Sequence, residues 1–428
     1  MYFSPVQDGK WYFCSMKQIE IMSPAGSYES LMAAIQAGAG SVYFGIGKLN
    51  MRAKSSQNFT LDDLSEIASI CRNNGVKSYV TLNTVVFDSE LEEMRQLVDA
   101  IRQHKITAVI ASDQAVIQYA REAGVEVHMS TQTNITNIAA VRYYARYADV
   151  MVTARELSLD QVAAITRAIK EQEIRGPSGE LIRIEVFVHG ALCMAVSGKC
   201  YLSLDMLNSS ANRGACLQPC RRTFAVHDSD NEAEMLVDNE YIMSPKDLNT
   251  LPFLDKVLAA GVEVLKIEGR GRSPEYVKTV TKVYHEAVEA IQSGEFTPDK
   301  VDAWGLQLAS VYNRGFWDGY YLGRKTGEWT ENYGSRATQY KVYVGKINNY
   351  FAKIGVAEVL VEAQELNRGD ELLIIGPTTG VAEETAYEIR VELQPVDTAR
   401  KGSNCSIAVQ NNVRRGDKVY KIMHRKEE

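Results

Sequence analysis

Lys77-Ser78-Tyr79-Val80-Thr81-Leu82, then Leu91-Glu92-Glu93-Met94-Arg95-Gln96-Leu97-Val98-Asp99-Ala100-Ile101-Arg102-Gln103, then Ala108-Val109-Ile110-Ala111, reads as strand, helix, strand. The outer segments are short apolar runs, and the middle one has helical periodicity. The same unit recurs on both sides. Strand-like runs stand at Ile19–Met22, Ser41–Gly45, Val125–Met129, Val150–Thr153, Ile184–Val188 and Val262–Ile267. Helical patterns at Tyr28–Ala39, Asp62–Asn73, Ala115–Ala123 and Asp160–Glu171 separate most of them. Gly38, Gly75, Gly124 and Gly261 sit where a helix should stop before the next strand. After the last run, Val277, Val280, Tyr284, Ala287 or Val288, and Ile291 recur at helical spacing, opened by Ser273 as N-cap and Pro274 in the first turn.

Eight such units within residues 1–294 predict a (β/α)8 TIM-like barrel. A doubly wound open sheet is the alternative, but no Gly-rich dinucleotide fingerprint follows the first strand. In a barrel the chemistry gathers where strands end. Those ends carry Ser23, Asn83, Asp113, Gln132, Arg155, Glu156, His189, Glu268 and Arg270. Many of them could equally cap helices or close loops.

Composition sets the outer limits. The chain is 45% hydrophobic and 24% charged, which excludes disordered and fibrous classes. No apolar run reaches membrane-spanning length, and Asp8, Lys10, Trp11 and Lys17 break any signal-peptide layout, so a soluble cytoplasmic protein is expected. A net charge of −7 argues against an indiscriminate polyanion binder, but leaves room for a nucleic acid held by a local patch.

The longest break in the alternation is 190–244, an insertion between the seventh and eighth strands. Four of the seven cysteines crowd there: Cys193, Cys200, Cys216 and Cys220. Cytosolic thiols stay reduced, so a cluster of thiols in a Gly-rich loop points to a soft metal rather than to disulfides. The spacing Cys-x6-Cys-x15-Cys-x3-Cys is neither a zinc ribbon nor a ferredoxin run. Charge does not choose, because four thiolates keep the same net charge with Zn²⁺ as with an oxidised [4Fe–4S] core. Lys199, Arg213, Arg221 and Arg222 flank the ligands and could offset that charge.

Residues 295–339 read as a linker or an extension of the barrel. From 340 to 428 the pattern changes to short alternating strands at Lys341–Ile347, Ile354–Val361, Glu371–Ile375, Ala386–Leu393, Ser406–Val409 and Lys418–Ile422. Turn signals at Asn348-Asn349, Gly369-Asp370, Pro377-Thr378-Thr379-Gly380 and Gly416-Asp417 divide them. This predicts a small C-terminal β-barrel domain.

Glu185-Val186-Phe187-Val188-His189-Gly190-Ala191-Leu192-Cys193 followed by Gly198-Lys199-Cys200-Tyr201-Leu202-Ser203 resembles the signature of the U32 family, first named as peptidases. Ser23-Pro24-Ala25-Gly26, Arg155-Glu156-Leu157-Ser158, Ser244-Pro245-Lys246-Asp247-Leu248 and Leu265-Lys266-Ile267-Glu268-Gly269-Arg270 are similar to further blocks of that family. Gly40 departs from the acidic residue frequent there. The chain most resembles the long-chain members associated with tRNA hydroxylation. The resemblance implies oxygen-independent conversion of wobble uridine to 5-hydroxyuridine in the tRNA anticodon loop, a [4Fe–4S] cluster on Cys193, Cys200, Cys216 and Cys220, and prephenate as co-substrate. Other members are implied to hydroxylate ribosomal RNA or a ubiquinone precursor.

A dicarboxylate such as prephenate needs cations with a carboxylate-fitting fork, for which Arg52, Arg155, Lys246, Lys266 and Arg270 are candidates. Catalytic candidates are Arg155, Glu156, His189, Lys266, Glu268 and Arg270. An RNA base has to be splayed out and stacked. Asn313-Arg314-Gly315-Phe316-Trp317-Asp318-Gly319-Tyr320-Tyr321 with Arg324 and Lys325 interleaves aromatic and basic groups, as a stacking platform or as a packing knot. Arg414, Arg415, His424, Arg425 and Lys426 are candidate phosphate contacts. The rival peptidase reading has one foothold, His189 four residues from Cys193; no His-Glu-x-x-His or Gly-x-Ser-x-Gly motif occurs. A metal-stabilised RNA-binding factor without catalysis is a third reading.

Overall fold

The computed structural model describes residues 19–54, 57–225, 241–323 and 327–425. Strands β1 (Glu20–Pro24), β2 (Ser41–Gly45), β3 (Lys77–Leu82), β4 (Ala108–Ala111), β5 (Glu126–Met129), β6 (Val150–Val152) and β7 (Arg183–Ala191) lie parallel in chain order. After the short β8 (Asp247–Asn249), strand β9 (Val264–Ile267) pairs in parallel with both β7 and β1 and closes an eight-stranded barrel. β8 lies antiparallel on the extended end of β7, and β10 (Phe316–Trp317) pairs with β8.

Helices α1 (Tyr28–Gln36), α2 (Leu64–Asn73), α3 (Leu91–Gln103), α4 (Gln114–Glu122), α5 (Ile138–Tyr144) and α6 (Leu159–Glu171) follow their strands. α7 (Leu202–Leu207) belongs to the insertion, and α8 (Leu254–Ala259), α9 (Pro274–Ser293) and α10 (Pro298–Ser310) complete the set. Local chemistry explains the boundaries. Asp113, Asn137 and Ser158 accept first-turn amides as N-caps. Gly38, Gly75, Gly124 and Gly261 all adopt left-handed φ where chain direction reverses. Ser273 holds the expected N-cap place with extended backbone, although its side chain makes no capping bond. The sequence reading did not resolve α5 and α8, which at 7 and 6 residues are too short to show a period. The segment expected to be a linker or an extension carries α10 and β10, and both join the barrel.

One apolar core lies between strands and helices, with Phe44, Leu64, Ile67, Val109 and Tyr284 among its buried members. A smaller cluster, including Met22, Tyr43, Tyr79, Ile110 and Val264, fills the barrel itself. The barrel interior is also charged. Lys266 Nζ meets Glu185 Oε1 at 2.7 Å, with both side chains buried, and sits 4.7 Å from the Tyr43 ring centre. At the strands' N-terminal ends Glu20 takes Tyr79 Oη at 2.6 Å and Lys77 and Arg183 at 3.0 Å. Burial works against that carboxyl, but Tyr79, Arg183 and Lys77 together hold it down at about 2. His128 packs on the Tyr79 ring at 4.5 Å and meets Glu126 at 2.9 Å, so it is a core histidine.

The C-terminal region is an antiparallel sheet ordered β15-β14-β20-β11-β12-β19-β16-β17, with an added β13–β18 pair. Its strands are β11 (Gln339–Phe351), β12 (Val356–Val361), β13 (Leu366–Asn367), β14 (Glu371–Gly376), β15 (Gly380–Thr385), β16 (Ile389–Val391), β17 (Gln394–Val396), β18 (Thr398–Ala399), β19 (Asn404–Ala408) and β20 (Lys418–His424). Asn348-Asn349 is not the expected turn: β11 runs through it with an irregular register between Ile347 and Asn349. β15 was hidden by its acidic Glu383-Glu384, yet it forms a hairpin with β14 around the expected Pro377–Gly380 turn. The sheet has its own core of Val344, Ile347, Val359, Ile374, Ile407 and Val419. Leu373, Ile375 and Val381 pack on Ala33 of α1, where Gln36 Nε2 donates to Thr379 O at 2.7 Å. Among the described residues no helix is long and apolar enough to cross a membrane.

The Glu185–Lys266 pair gives a stability prediction. Lys266→Met strands a buried carboxylate and should cost about 3–5 kcal/mol, whereas adding Glu185→Leu should restore most of it. Urea unfolding at neutral pH checks this; a neutral single variant would show that the pair is not buried as described.

Candidate functional site

The cysteine insertion is seated on the C-terminal mouth of the barrel. β7 extends to Ala191, and Gly190 turns the chain with φ +103°; a β-carbon there would lie 2.9 Å from Tyr276 Oη. The insertion then reaches across the loops behind β2, β3 and β5. Lys54 N donates to Gly214 O at 3.1 Å, and Asn134 Nδ2 donates to Ser197 O at 3.1 Å. Arg213 donates to Val85 O and pairs with Glu90, its guanidinium 4.2 Å from the Phe87 ring centre. Arg221 ties the insertion to its own stem through Leu192 O at 2.8 Å, Pro245 O at 2.6 Å and Ser244 Oγ at 3.0 Å.

Cys193 is exposed, while Cys200, Cys216 and Cys220 are half-buried. Burial pushes the Cys220 thiol up to about 11, Arg221 works against this, and Cys193, Cys216 and Cys200 add to the rise. Burial likewise raises Cys216, with Cys193 and Cys200 again adding. The four thiols therefore share one electrostatic neighbourhood, and a cation placed among them would relieve the repulsion between their ionised forms. All four donors are soft sulfur, which fits a thiophilic metal group. Among the described residues no three His, Cys, Asp or Glu side chains close on one point as a single ion would require. Cys71 and Cys405 lie buried in α2 and β19, away from this group; Cys14 and His227 fall outside the described residues.

Below the insertion, Glu268 is ringed by arginine. Arg52 Nη2 meets Glu268 Oε1 at 2.6 Å. Burial alone would raise that carboxyl, but Arg52, Arg155 and Arg270 outweigh it and hold Glu268 at about 2. Arg270 Nη1 donates to Thr81 Oγ1 at 2.8 Å and Asn50 Oδ1 at 3.0 Å, and burial brings its guanidinium down to about 10. It passes where any β-carbon at Gly45 would stand. Arg155 lies 3.9 Å from the Phe187 ring centre and donates to Ala191 O at 3.3 Å, while its buried Nε has no partner among the described residues. A pocket of about 90 Å³ opens here, lined by Arg52, Ala191, Gln218, Glu268, Arg272 and Arg314. Gln218 stands between Cys216 and Cys220, so pocket and thiol loop share a wall.

Other expectations fail on geometry. Glu156 is exposed on the flank, beside Tyr320 and Tyr321 rather than in the mouth. His189 turns outward into a shell of Tyr276, Tyr284 and Phe316, where burial, with Arg272 nearby, pushes it down to about 3. The irregular register between Phe187 and His189 redirects it, and it makes no pair with Cys193 among the described residues. Lys266 is committed to Glu185 inside the barrel, and Lys246 to Glu328 at 3.0 Å. Asp113 caps α4, and Ser23 bonds Thr281 at 2.7 Å, so both are structural. The aromatic segment is a packing knot: Asn313, Arg314, Trp317 and Tyr321 are buried, and Tyr321 Oη donates to Phe187 O at 2.7 Å. Arg324, Lys325 and Lys426 fall outside the described residues; Arg414, Arg415, His424 and Arg425 are exposed. Sequence reasoning missed Asn50, Thr81 and Arg272, and read Arg314 only as part of the aromatic and basic stretch, not as a wall of this pocket. Only Arg272 carried a signal, as the second arginine of Gly269-Arg270-Gly271-Arg272.

The model of peptidase family U32 matches residues 26–331. A Porphyromonas gingivalis protein named collagenase is 57% identical over 413 residues, covering 96% of this chain and 100% of that protein. The tRNA hydroxylation protein P1 of Bacillus subtilis is 30% identical, over 84% of each chain. The 23S rRNA 5-hydroxycytidine C2501 synthase of Escherichia coli is 34% identical over 278 residues, 65% of this chain and 40% of that one.

Glu268 makes the site acid-sensitive. Its carboxyl is held at about 2, below the ordinary glutamate value of 4.5, so its contribution is whole above pH 4.5 and is lost as pH falls through about 2. That loss is on the order of 3 kcal/mol at 1.36 kcal/mol per unit. Denaturant unfolding measured from pH 7 down to pH 2 should show a flatter pH dependence in Glu268→Gln; an unchanged slope would remove Glu268 from this role.

Proposed function

Because the chain belongs to peptidase family U32, we propose that it is an iron–sulfur-dependent tRNA hydroxylation protein, converting wobble uridine of the anticodon loop to 5-hydroxyuridine without oxygen, with prephenate as co-substrate. One observation carries this reading: an insertion with four free cysteines is seated on the mouth of a barrel and shares Gln218 with an arginine-lined pocket. Cys193, Cys200, Cys216 and Cys220 would hold a [4Fe–4S] cluster, whose ligands stand further apart than those of a single zinc ion. When bound, such a cluster supplies one-electron transfer. The names of the tRNA and rRNA relatives support the substrate class.

The chain's own groups supply binding and orientation. Arg155 and Arg270 are the forks for a carboxylate, since Arg52 already holds Glu268. The unpartnered Nε of Arg155 favours an incoming acceptor, because a buried donor left without one costs roughly 1–3 kcal/mol. Glu268 stays ionised and fixes Arg52. Phe187, beneath Arg155, holds the plane of that guanidinium.

The collagenase name of the 57% identical relative favours a second reading, peptidase activity. A cysteine–histidine mechanism finds no support in His189, which is neutral and enclosed by aromatic rings. Any collagen cleavage should then be independent of the four cysteines.

Two experiments test the proposal. After anaerobic purification, Cys193→Ala, Cys200→Ala, Cys216→Ala or Cys220→Ala should each bleach the iron chromophore, while Cys71→Ala and Cys405→Ala should not. Mass spectrometry of tRNA nucleosides from a deletion strain should show the loss of 5-hydroxyuridine-derived nucleosides, restored by the wild-type gene and not by Cys216→Ala. Unaltered nucleosides, with cleavage of unfolded collagen by a protein lacking all four cysteines, would instead establish the peptidase.

Arg155→Lys and Arg270→Lys keep charge but lose the parallel two-bond fork. Each should lower hydroxylation by roughly 1.5–3 kcal/mol, about tenfold to a hundredfold. Full activity in both would take them out of the site.

A further inference from the structure

A second hollow of about 500 Å³ lies beside the arginine pocket, and the reading above gives it no role. Three loops that follow barrel strands build its wall: Gly26 and Ser27 after β1, Lys54 after β2, and Arg270, Gly271 and Arg272 after β9. No aspartate or glutamate lines it, in a chain whose net charge is −7. Lys54 and Arg272 form no ion pair with any described residue, so their charge is not neutralised from within the fold. Arg272 stacks 3.6 Å from the Tyr312 ring centre, which fixes the plane of its guanidinium and leaves its N–H edge to donate. The backbone amides of Gly26, Ser27 and Gly271 find no acceptor among the described residues. Gly26 lets the two loops touch, because a β-carbon there would collide with the Arg270 carbonyl.

Fixed guanidinium, ammonium, unpaired amides and the positive end of α1 converge on one concave wall. A tetrahedral oxyanion satisfies all of them, since it has several acceptor oxygens and carries the compensating charge. Gly271 and Arg272 also line the inner pocket with Arg52 and Glu268, so the two hollows are neighbours. We propose that this hollow is a phosphate subsite, and that it takes a phosphodiester of the RNA whose base enters the inner pocket. The RNA source rests on the hydroxylation reading. The phosphate chemistry does not, because a phosphate monoester is recognised by the same groups.

The test uses the full-length, anaerobically purified protein with Lys54→Gln, Arg272→Gln and the double variant, each checked for unchanged circular dichroism and visible absorption. Anisotropy with an anticodon stem-loop RNA across a salt series should show about a tenfold loss of affinity per variant. The slope of log K against log salt should flatten by roughly 0.7–0.9 per lost contact. Arg272→Lys should recover the slope. Uridine 5′-monophosphate should compete where uridine does not. Equal affinity and slope in the double variant overturn the subsite, as does a wild-type protein that binds neither RNA nor the monophosphate. If wild type ignores the stem-loop but binds the monophosphate, and the double variant loses that binding, the subsite stands and the RNA reading falls.

Discussion

The Arg52–Glu268 ion pair is the contact on which the mouth of the barrel depends. It joins the loop behind β2 to the end of β9, two segments 216 residues apart that meet only because the barrel closes. A buried carboxylate is costly unless matched by charge and hydrogen bonds. Here one carboxylate faces Arg52, Arg155 and Arg270, so the balance tips to positive and stays so at any physiological pH. The neighbouring pocket of about 90 Å³ is itself lined by Arg52, Arg272 and Arg314 against the single carboxylate of Glu268, so its field is positive.

That surplus is stable because the surrounding fold over-determines each guanidinium. Arg270 is pinned by Asn50 and Thr81, Arg155 by Phe187 and Ala191, and Arg272 by Tyr312. None of these supports is itself a charge, so positions are fixed without neutralising the cations. The barrel interior below uses the opposite device: Lys266 and Glu185 cancel each other, as do Glu20 and Glu263 against Lys77 and Arg183 at the base. Charge is spent in pairs where only stability is served, and left unbalanced where strands end.

The insertion then places thiols over that surplus. Arg213 and Arg221, which could have been a solvated face, are instead its anchors to the barrel and to its own stem. The nearest histidine in sequence is folded away into an aromatic shell, and what remains around the cysteines is cationic.

The order of strands and the span of the insertion were legible in the sequence because both are local: a strand announces itself by a short apolar run, and a helix end by glycine or a capping side chain. Lys77–Leu82 and Ala108–Ala111 coincide residue for residue with β3 and β4 for that reason. The arginines Arg155 and Arg270 were legible as strand-end residues. Glu156 and His189 were equally plausible by position, and the structure places them apart from the arginine pocket, because which way a side chain points after a strand is set by register and by what packs against it. The irregularity after Phe187 turned His189 outward, and the Tyr276–Tyr284 face of α9 received it. Asn50 and Thr81 gave no sequence signal, since their roles arise from contacts with Arg270 across 220 and 189 residues of chain. The sequence by itself determined the barrel, its strands and its longer helices, and the crowding of four cysteines into one insertion. Only the tertiary structure decided which charges are paired and which are left over, because pairing depends on distances between residues that the chain keeps far apart until the barrel closes.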